Sequence, residues 1–448
     1  MTMNLKTTFT CIAGLALAAT AFAADPFQPA HKLTGIPYNS GFPDGHDPYN
    51  SMGCASDGKI YYVLSADKYD VGARMFSFDP KKNEVKFVAD LTEACGEKDK
   101  KSIVQGKSHV NFVEADGKLF FASHLGFYSS VEGKETMGIP PAGWTAYPGG
   151  HLLSYDLKSG KFEDFGVAPD KEGILSWSMD TKRHRGFGLT WPSGIFFRYD
   201  YAKRNLKSFG KMCALGEDGV GAQYRTVCRS IAVNHEDGSA YFTTSEGDIF
   251  RYHADSDTVE KVKGDNMKKD YFGIYDPTSP GHMGYNWRQV FYREADHMIY
   301  GVHGNSGYLF RFDPKAERIE VLERITSDPS KASGMFDQFS YGYLGFGIAH
   351  DGRTIYYLTG GPIYENGRRV AGKASTAMGE AKGLENLHLI TYDISKHEYR
   401  DRGAIFYPNG QRPLYVNSLA IGLDGSAYFL ARITENGHTR SDLISVKP

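Results

Sequence analysis

Residues 107–124 read KSHVNFVEADGKLFFASH and contain two short runs of alternating apolar residues on either side of Asp116-Gly117. An Asp-Gly dipeptide favours a tight hairpin turn, because glycine adopts positive φ without steric cost. The stretch therefore predicts a β-hairpin. If the two strands pair symmetrically about the turn, His109 and His124 face each other at the open end, with their side chains about 5 Å apart.

The same hairpin unit recurs along the chain. Further turns of this kind separate apolar runs at Asp57-Gly58, Asp237-Gly238, Asp351-Gly352 and Asp424-Gly425, with degenerate versions at Arg183-His184 and Ala295-Asp296. Most hairpins continue into a third strand that ends in an aromatic residue and an aspartate. Repeats of about 40 to 80 residues made of four short strands are typical of a β-propeller. We therefore predict an all-β fold, a seven-bladed β-propeller of four-stranded antiparallel blades, as a single domain over 24–448.

The seventh repeat, which begins near Tyr415, contains only three strands. We expect residues 27–33 to supply the fourth strand and close the ring, because closure removes exposed sheet edges. Long connections join the second strand to the third within two blades and join one blade to the next. These connections emerge on one face of a propeller, so that face should carry the functional site.

The composition agrees with an all-β domain of many short strands. The chain has 448 residues, of which 41% are apolar, 14% are aromatic and 51 are glycine. The net charge of −2 gives no electrostatic argument for a nucleic-acid partner. The sequence predicts no membrane span in the mature chain, and we expect a monomer.

The amino terminus resembles a secretory signal peptide. Lys6 precedes a mostly apolar run over 9–19, and Ala21-Phe22-Ala23 forms an A-x-A cleavage site. We therefore predict a signal peptide over 1–23 and a protein that is secreted or periplasmic after its removal.

Four cysteines remain in the mature chain, at positions 54, 95, 213 and 228. An even number of cysteines in an oxidising compartment favours disulfides, and a bridge between Cys213 and Cys228 would close a local loop. The alternative is that Cys228 joins histidines on a zinc ion.

The pairing rule of the first hairpin can be applied to the other blades. It places opposite one another Asn50 and Ser65, Ser176 and Trp191, Ser230 and Ser245, Arg288 and His303, Leu344 and Thr359, and Asn417 and Arg432. Beside the paired histidines, the loop-bearing end should therefore present these candidate site residues: Trp177, Trp191, Tyr224, Arg225, Arg229, Asn286, Arg288, His303, Tyr341 and Asn417.

This set of side chains suits an anionic sugar substrate. Histidine titrates near neutral pH and can move a proton, arginine can neutralise a carboxylate, and tryptophan or tyrosine can stack on a sugar ring. The sequence contains no G-x-S-x-G, H-E-x-x-H or P-loop motif, and no G-x-G-x-x-G after a strand. β-Elimination from a uronic acid fits better, because a cation beside the carboxylate stabilises the developing enolate while histidine or tyrosine takes the proton. That chemistry requires no cofactor.

A secreted seven-bladed propeller with paired histidines at 109 and 124 resembles the propeller-type polysaccharide lyases, the ulvan lyases in particular and oligogalacturonate lyase more distantly. The resemblance implies that the two histidines act as base or acid and as carboxylate neutraliser, with Arg229 or Arg225 assisting. It also implies a catalytic tyrosine, for which Tyr224 is the candidate. Some members carry zinc, which would suit Cys228. The manganese site of oligogalacturonate lyase would need third and fourth ligands that this sequence does not provide convincingly.

The sequence leaves other interpretations open. The paired histidines could be polar residues that line a channel and bind backbone groups and water. The protein could be a non-catalytic propeller that binds a glycan or a protein on its loop face. A metal-dependent propeller hydrolase, such as a lactonase, would need calcium or zinc on the axis, and the expected Glu and Asp ligands are missing near the first strands. The identity of any metal ion is not specified, and a structural zinc or calcium ion is compatible with the sequence.

Overall fold

The structure is a computed structural model that describes residues 31–448, except 282, 305, 333–344, 363, 366–367, 370–384 and 436. The predicted signal peptide and the candidate Tyr341 lie outside the described residues. Within them, the strands form seven four-stranded blades, which confirms the predicted all-β propeller. None of the described helices has the length and apolar character that a membrane span needs.

Strand β1 (Lys32–Pro37) precedes the blades. Blade one consists of β2 (Met52–Cys54), β3 (Ile60–Leu64), β4 (Arg74–Asp79) and β5 (Glu84–Asp90). Blade two consists of β6 (Val113–Ala115), β7 (Lys118–Ala122), β10 (His151–Asp156) and β11 (Phe162–Val167), with the hairpin β8 (Tyr128–Val131) and β9 (Lys134–Met137) inserted between β7 and β10. Blade three consists of β12 (Gly173–Asp180), β13 (Arg185–Trp191), β14 (Ile195–Asp200) and β15 (Asn205–Lys211).

Blade four consists of β16 (Ala232–Val233), β17 (Ala240–Thr243), β18 (Ile249–His253) and β19 (Thr258–Lys261). Blade five consists of β20 (Trp287–Arg293), β21 (Met298–His303), β22 (Tyr308–Asp313) and β23 (Arg318–Arg324). Blade six consists of β24 (Phe346–Ile348), β25 (Thr354–Pro362), β28 (Glu385–Asp393) and β29 (Glu398–Phe406), with β26 (Tyr364–Glu365) and β27 (Arg368–Arg369) as an inserted hairpin. Blade seven consists of β30 (Ala420–Ile421), β31 (Ala427–Glu435), β32 (His438–Val446) and β1.

The described helices are short and lie in the connections. They are α1 (Leu91–Ala94) and α2 (Asp328–Ala332), and the 3₁₀ turns Pro169–Lys171, Gly216–Asp218, Gly221–Gln223 and Asp270–Phe272.

The amino-terminal strand closes the ring, as the sequence predicts. β1 pairs antiparallel with β32 and so completes blade seven. It also pairs in parallel with β29 of blade six, where Lys32 lies opposite Ala404. Within the described residues the closing strand spans Lys32–Pro37 and so extends beyond the predicted end at residue 33, while residues 27–30 of the predicted strand lie outside the described residues. The strand also covers one edge of blade six.

Aromatic side chains join neighbouring blades. Each pair below contacts across a blade boundary, and such pairs contribute about 0.5–1.5 kcal/mol beyond the area they bury. They are Tyr61 with Tyr155 (ring centroids 5.9 Å apart), Phe120 with Tyr201 (4.9 Å), Phe187 with Tyr252 (4.9 Å), Tyr241 with Phe312 (6.0 Å), Phe291 with Phe346 (5.5 Å) and Phe78 with Tyr428 (5.8 Å). The apolar core therefore runs around the ring between the blades.

The hairpin of residues 107–124 has the predicted register near its turn. Val113 pairs with Phe120, and Asp116 and Gly117 both have positive φ, of 50° and 72°. The regular ladder ends at Val113, however, and His124 forms an isolated bridge with Lys107 instead of His109. The strand leaves its partner over 109–112, and this departure turns His109 away from the ladder.

The same rule gives the wrong register in blades one, three, four and seven, whereas in blade five it holds over residues 289–293 and fails only at Arg288. The predicted pairs Asn50–Ser65, Ser176–Trp191, Ser230–Ser245, Arg288–His303 and Asn417–Arg432 are not formed as ladder pairs. Two physical causes account for the difference. Several turns contain more than two residues, as between Val233 and Ala240, and bulges interrupt the first strands of blades three and five. In blade six the predicted register holds at Phe346 and Tyr357, whereas Leu344 lies outside the described residues.

The cysteines do not form the predicted bridge. Cys54, Cys95, Cys213 and Cys228 are all free. The Cys228 thiol donates to the carbonyl of Ser230 at 3.2 Å. The alternative of a zinc site on Cys228 also finds no support, because no three His, Cys, Asp or Glu side chains in the described part of the chain converge as metal ligands.

Candidate functional site

A cavity of about 230 Å³ opens where the connections of several blades meet. Its walls come from the segment before blade one, the start and the inserted hairpin of blade two, blades three and five, the connection from blade three to blade four, and the segment before blade seven. The lining residues are His46, Asp47, Tyr49, Asn50, Asp67, Lys107, His109, His124, Gly126, Tyr128, Glu135, Leu175, Trp191, Glu217, Arg229, Arg288, Tyr415 and Asn417. Inner ends of different blades contribute side chains to one space, as expected near a propeller axis.

The predicted histidine pair is part of this cavity. The rings of His109 and His124 lie 5.7 Å apart between centroids. The His109 ring also contacts Tyr49 at 4.8 Å, and the His124 ring contacts Trp191 at 6.0 Å. Burial lowers the pKa of both histidines well below the ordinary value, and nearby Lys107 lowers them further. Both imidazoles are therefore neutral at neutral pH.

His124 has a defined tautomer. Its Nδ1 lies 2.9 Å from the carbonyl oxygen of Leu125, which can only accept, so Nδ1–H is the donor. Nε2 then carries a lone pair, and this buried atom has no hydrogen-bond partner among the described residues. The ring lies flat against the backbone of Gly173, where an added Cβ would stand 2.8 Å from three ring atoms. Glycine at this position allows the His124 ring to occupy its place.

Lys107 lies beside the histidines and is almost fully buried, with 4% of its surface exposed. Two backbone hydrogen bonds with His124, of 3.0 and 2.7 Å, fix its main chain. The ammonium nitrogen lies 4.0 Å from the centroid of the Tyr49 ring and 4.4 Å from that of Tyr128. Burial lowers the pKa of Lys107 well below the ordinary value, whereas cation–π contacts of this kind favour the charged form.

Arg229 is held in place by a buried carboxylate. Its guanidinium pairs with Glu217 at 2.6 Å and donates to the carbonyl of Val227 at 2.7 Å. Glu217 also accepts hydrogen bonds from the Trp191 indole at 2.9 Å and from the backbone N–H of Val227 at 3.0 Å. One carboxylate therefore positions both a cation and an aromatic wall of the cavity, and it compensates the charge of that cation.

One residue of the cavity wall, Tyr415, has a strained backbone. Tyr415 has a φ of 52°, a conformation that is rare for a bulky residue and occurs mostly where surrounding structure enforces it. The guanidinium of Arg432 stacks on its ring at 4.3 Å and also pairs with Asp47. Next to it, Asn417 donates to the carbonyl of Pro48 at 3.1 Å, and its Oδ1 has no hydrogen-bond partner in the part of the chain that the structure describes.

The structure brings together about half of the residues predicted for the site. The predicted residues that line the cavity are His109, His124, Trp191, Arg229, Arg288 and Asn417. Five others do not line it: Trp177, Tyr224, Arg225, Asn286 and His303.

Each of these five side chains has a packing or hydrogen-bonding role elsewhere. Trp177 belongs to the core between blades two and three, because the register of blade three differs from the predicted one. Tyr224 is buried next to Thr226, whose hydroxyl donates to it at 3.4 Å, and Arg225 turns away to pair with Glu246.

The other two lie behind the cavity. Asn286 is fully buried, with its amide donating to the carbonyls of Thr226 and Met283 and accepting from Thr243. The His303 ring stacks on Phe272 with centroids 4.3 Å apart, and burial lowers its pKa to about 3. Both side chains are tied into the fold around the site.

Several lining residues were not predicted from the sequence. They are His46, Asp47, Tyr49, Asn50, Asp67, Lys107, Tyr128, Glu135, Glu217 and Tyr415. Most lie in connections, where hydrophobic periodicity gives no position. Lys107 had an available signal, because it lies two residues before His109 on the same extended segment and so shares a side of the chain.

The fold and the cavity together define a β-propeller with a polar, aromatic-walled cavity near its axis. No protein-family model matches the sequence, and no curated protein matches it. Among solved structures, the chain is similar to one from the "Crystal Structure of Mitotic Checkpoint Complex", with 11% sequence identity and a TM-score of 0.46 over 100% of this chain and 99% of that chain.

Proposed function

We propose that the protein is an exported lyase that cleaves a uronic-acid-containing polysaccharide by β-elimination in this cavity. The proposal follows the resemblance of the sequence to the propeller-type polysaccharide lyases, the ulvan lyases in particular. The observation that carries the proposal is the pair of neutral histidines, one of them fully buried, in contact with each other and close to buried cations. A neutral imidazole can accept a proton, and nearby cations lower the cost of the negative charge that then develops.

The residues of the cavity can be given roles in such an elimination. Arg229 and Arg288 attract the uronate carboxylate and stabilise the enolate that forms as the α-proton leaves. The lone pair on His124 Nε2 takes this proton, since Nδ1–H is already donated to Leu125. The C–H electron pair forms the new double bond, and the bond to the glycosidic oxygen on the β-carbon breaks.

The leaving oxygen then needs a proton. Burial raises the pKa of Tyr128 well above its ordinary value, so its phenol keeps a proton that it can donate. Tyr128 replaces Tyr224 as the candidate catalytic tyrosine, because Tyr128 lines the cavity and Tyr224 does not. The aromatic wall of Trp191 and Tyr128, with ring centroids 5.2 Å apart, provides a surface for a sugar ring.

The test is direct. The mature protein is incubated with ulvan, pectate and a glucuronan, and the absorbance of the unsaturated uronate product is followed. We expect a rise on at least one substrate, a loss of that rise in His124→Ala, and full activity in His297→Ala, whose side chain is 61% exposed on blade five. The absence of product on every uronate polysaccharide would reject the proposal.

A second candidate is a propeller that binds an acidic glycan without turning it over. It is favoured by the cation–π contacts of Lys107 with two tyrosines, which form a rigid cationic and aromatic surface that binding alone would use. In that case, the native protein binds oligouronates and His124→Ala changes their affinity, while no unsaturated product appears at any enzyme concentration.

A further inference from the structure

We propose that Lys107 is the carboxylate receptor of the cavity and that its amine takes up a proton when the carboxylate of a uronate binds beside it. The inference rests on the proposed function only in taking a uronate as the ligand. It assigns to Lys107 the first contact with the acid group, a role that the elimination scheme gives to arginine.

Geometry distinguishes Lys107 from two other cations at the site, Arg229 and Arg432. The charge of Arg229 is already compensated by Glu217, at 2.6 Å, and that of Arg432 by Asp47. For Lys107, the nitrogen contacts the faces of Tyr49 and Tyr128, and no carboxylate of the described residues lies within the 4.0 Å of an ion pair. A carboxylate that enters the cavity would therefore meet an amine that is not already held in an ion pair.

None of the described charged groups around the Lys107 amine forms an ion pair with it. Four carboxylates line the same cavity from other elements: Asp47, Asp67, Glu135 and Glu217. The first and the last already pair with arginines, and Asp67 lies 3.4 Å from Nε2 of His46. Glu135 lies on the inserted hairpin, where burial raises its pKa, and of the four carboxylates it most favours the charged form of Lys107 without forming an ion pair with it. Arg229 disfavours a positive charge on Lys107, and Lys107 in turn lowers the pKa of His109 and His124.

The consequence is a change of protonation upon binding. Burial lowers the pKa of Lys107 in the ligand-free protein. A carboxylate in contact with the amine favours its charged form and raises the pKa again. At any pH between these two values, the free protein holds a neutral amine and the complex holds an ammonium ion, so binding takes one proton from solution. A neutral sugar offers no such counter-ion and causes no uptake.

The experiment is isothermal titration calorimetry with D-glucuronate and D-glucose, in buffers of different ionisation enthalpy, from about pH 6 to about pH 9. We expect the protein to bind glucuronate at least about tenfold more tightly than glucose, with an uptake that approaches one proton in the upper part of this range.

Two substitutions separate charge from proton uptake. In Lys107→Met the preference for glucuronate should disappear. In Lys107→Arg the side chain is always charged, so the preference should remain and the uptake should vanish. Lys182→Met, which changes a half-exposed lysine on a blade-three turn, is the matched control and should behave as the native protein. Unfolding curves of all variants check that each one folds.

The outcomes distinguish this inference from the proposed function. Equal binding of glucuronate and glucose by the native protein, or an unchanged preference in Lys107→Met, overturns the role of Lys107 even if polysaccharide is cleaved. Persistent uptake in Lys107→Arg overturns the protonation step. If glucuronate binds as expected and no polysaccharide is cleaved, the elimination is rejected and the carboxylate receptor stands.

Discussion

Blade two contains two buried histidines that differ in charge. His124 follows β7 and His151 begins β10, and the two are neighbours because the backbone N–H of Ser123 donates to the carbonyl of His151 at 2.9 Å. Both are buried, with 1% and 5% of their surfaces exposed. Burial lowers the pKa of His124, whereas the pKa of His151 is raised to about 9.

Counter-ions account for the difference. His151 lies between two carboxylates, with Nε2 at 3.0 Å from Glu97 and Nδ1 at 2.9 Å from Asp164, and these hydrogen bonds outweigh the desolvation of its charge. His124 faces Lys107 and a backbone carbonyl instead. Equal burial therefore accompanies a cation at neutral pH at His151 and a neutral imidazole at His124. The His151 cation stabilises the fold, and the neutral His124 is a candidate base for proton transfer.

The largest expected effect is the loss of activity in His124→Ala. If this imidazole is the base of the elimination, kcat/KM on a uronate polysaccharide should fall by about 10²- to 10⁴-fold, which is the usual contribution of general base catalysis. Initial rates of unsaturated product formation measure it. The free energy of unfolding should change far less than in the corresponding His151 variant. Native-like activity in His124→Ala would show that His124 is not the base of the elimination.

The next effect is on stability, in His151→Ala. The substitution leaves Glu97, whose side chain is 2% exposed, without its buried cation, and breaking one partner of such a pair costs about 3–5 kcal/mol. Urea unfolding of the native protein and the variant measures the loss, with His297→Ala as the exposed control. A loss below about 1 kcal/mol would show that the carboxylates do not need this histidine.

A slightly smaller effect is expected from pH. A histidine pKa raised from 6.5 to about 9 in the folded protein adds about 3 kcal/mol of stability. The folded state binds this proton more tightly than the unfolded state, so the contribution is complete below about pH 6.5 and is lost as pH rises through 9. The difference in unfolding free energy between native protein and His151→Gln, measured over this range, should shrink accordingly. A constant difference would contradict a charged His151.

The sequence predicts the framework of this comparison better than its electrostatics. Asp116-Gly117 has the chemistry of a tight turn, so the hairpin and the closeness of His109 and His124 could be predicted from local rules. The same rule failed in blades one, three, four and seven and at Arg288 of blade five, because longer turns and bulges change the register without a clear local signal. Strand repeats thus predict the propeller, whereas exact facing pairs depend on each turn.

Asp164, one of the carboxylates that set these charges, lies on β11, whereas two others come from connections. Glu97, which pairs with His151, follows α1, and Glu217, which positions Arg229, lies in a 3₁₀ turn between blades three and four. Neither connection shows the hydrophobic periodicity from which the position of its side chains on the loop face could be predicted. Sequence patterns therefore identified His109 and His124, but they identified neither His151 nor the carboxylates that distinguish a structural histidine from a candidate base.

The smallest effect is expected in Gly173→Ala, which changes the surroundings of His124 without removing it. An added Cβ would stand 2.8 Å from Cε1, Nδ1 and Nε2 of the imidazole, closer than real Cβ contacts, so the ring must move by several tenths of an ångström. Small displacements of a catalytic group are costly, and we expect about a tenfold fall in kcat/KM with little change in the free energy of unfolding. Rates on the polysaccharide and urea unfolding measure the two quantities.

Gly347→Ala provides the matched control, because a Cβ at this strand glycine of blade six would meet only Ile421, at an ordinary distance of 3.9 Å. It should leave both quantities unchanged. If Gly173→Ala lowered stability and activity together, the glycine would serve packing in general. If it lowered neither, the His124 ring would have room to adjust, and its orientation would depend on the hydrogen bond to Leu125 alone. If only activity fell, the exact position of the His124 ring would matter for catalysis. Burial alone, which His124 and His151 share, would then not explain its role.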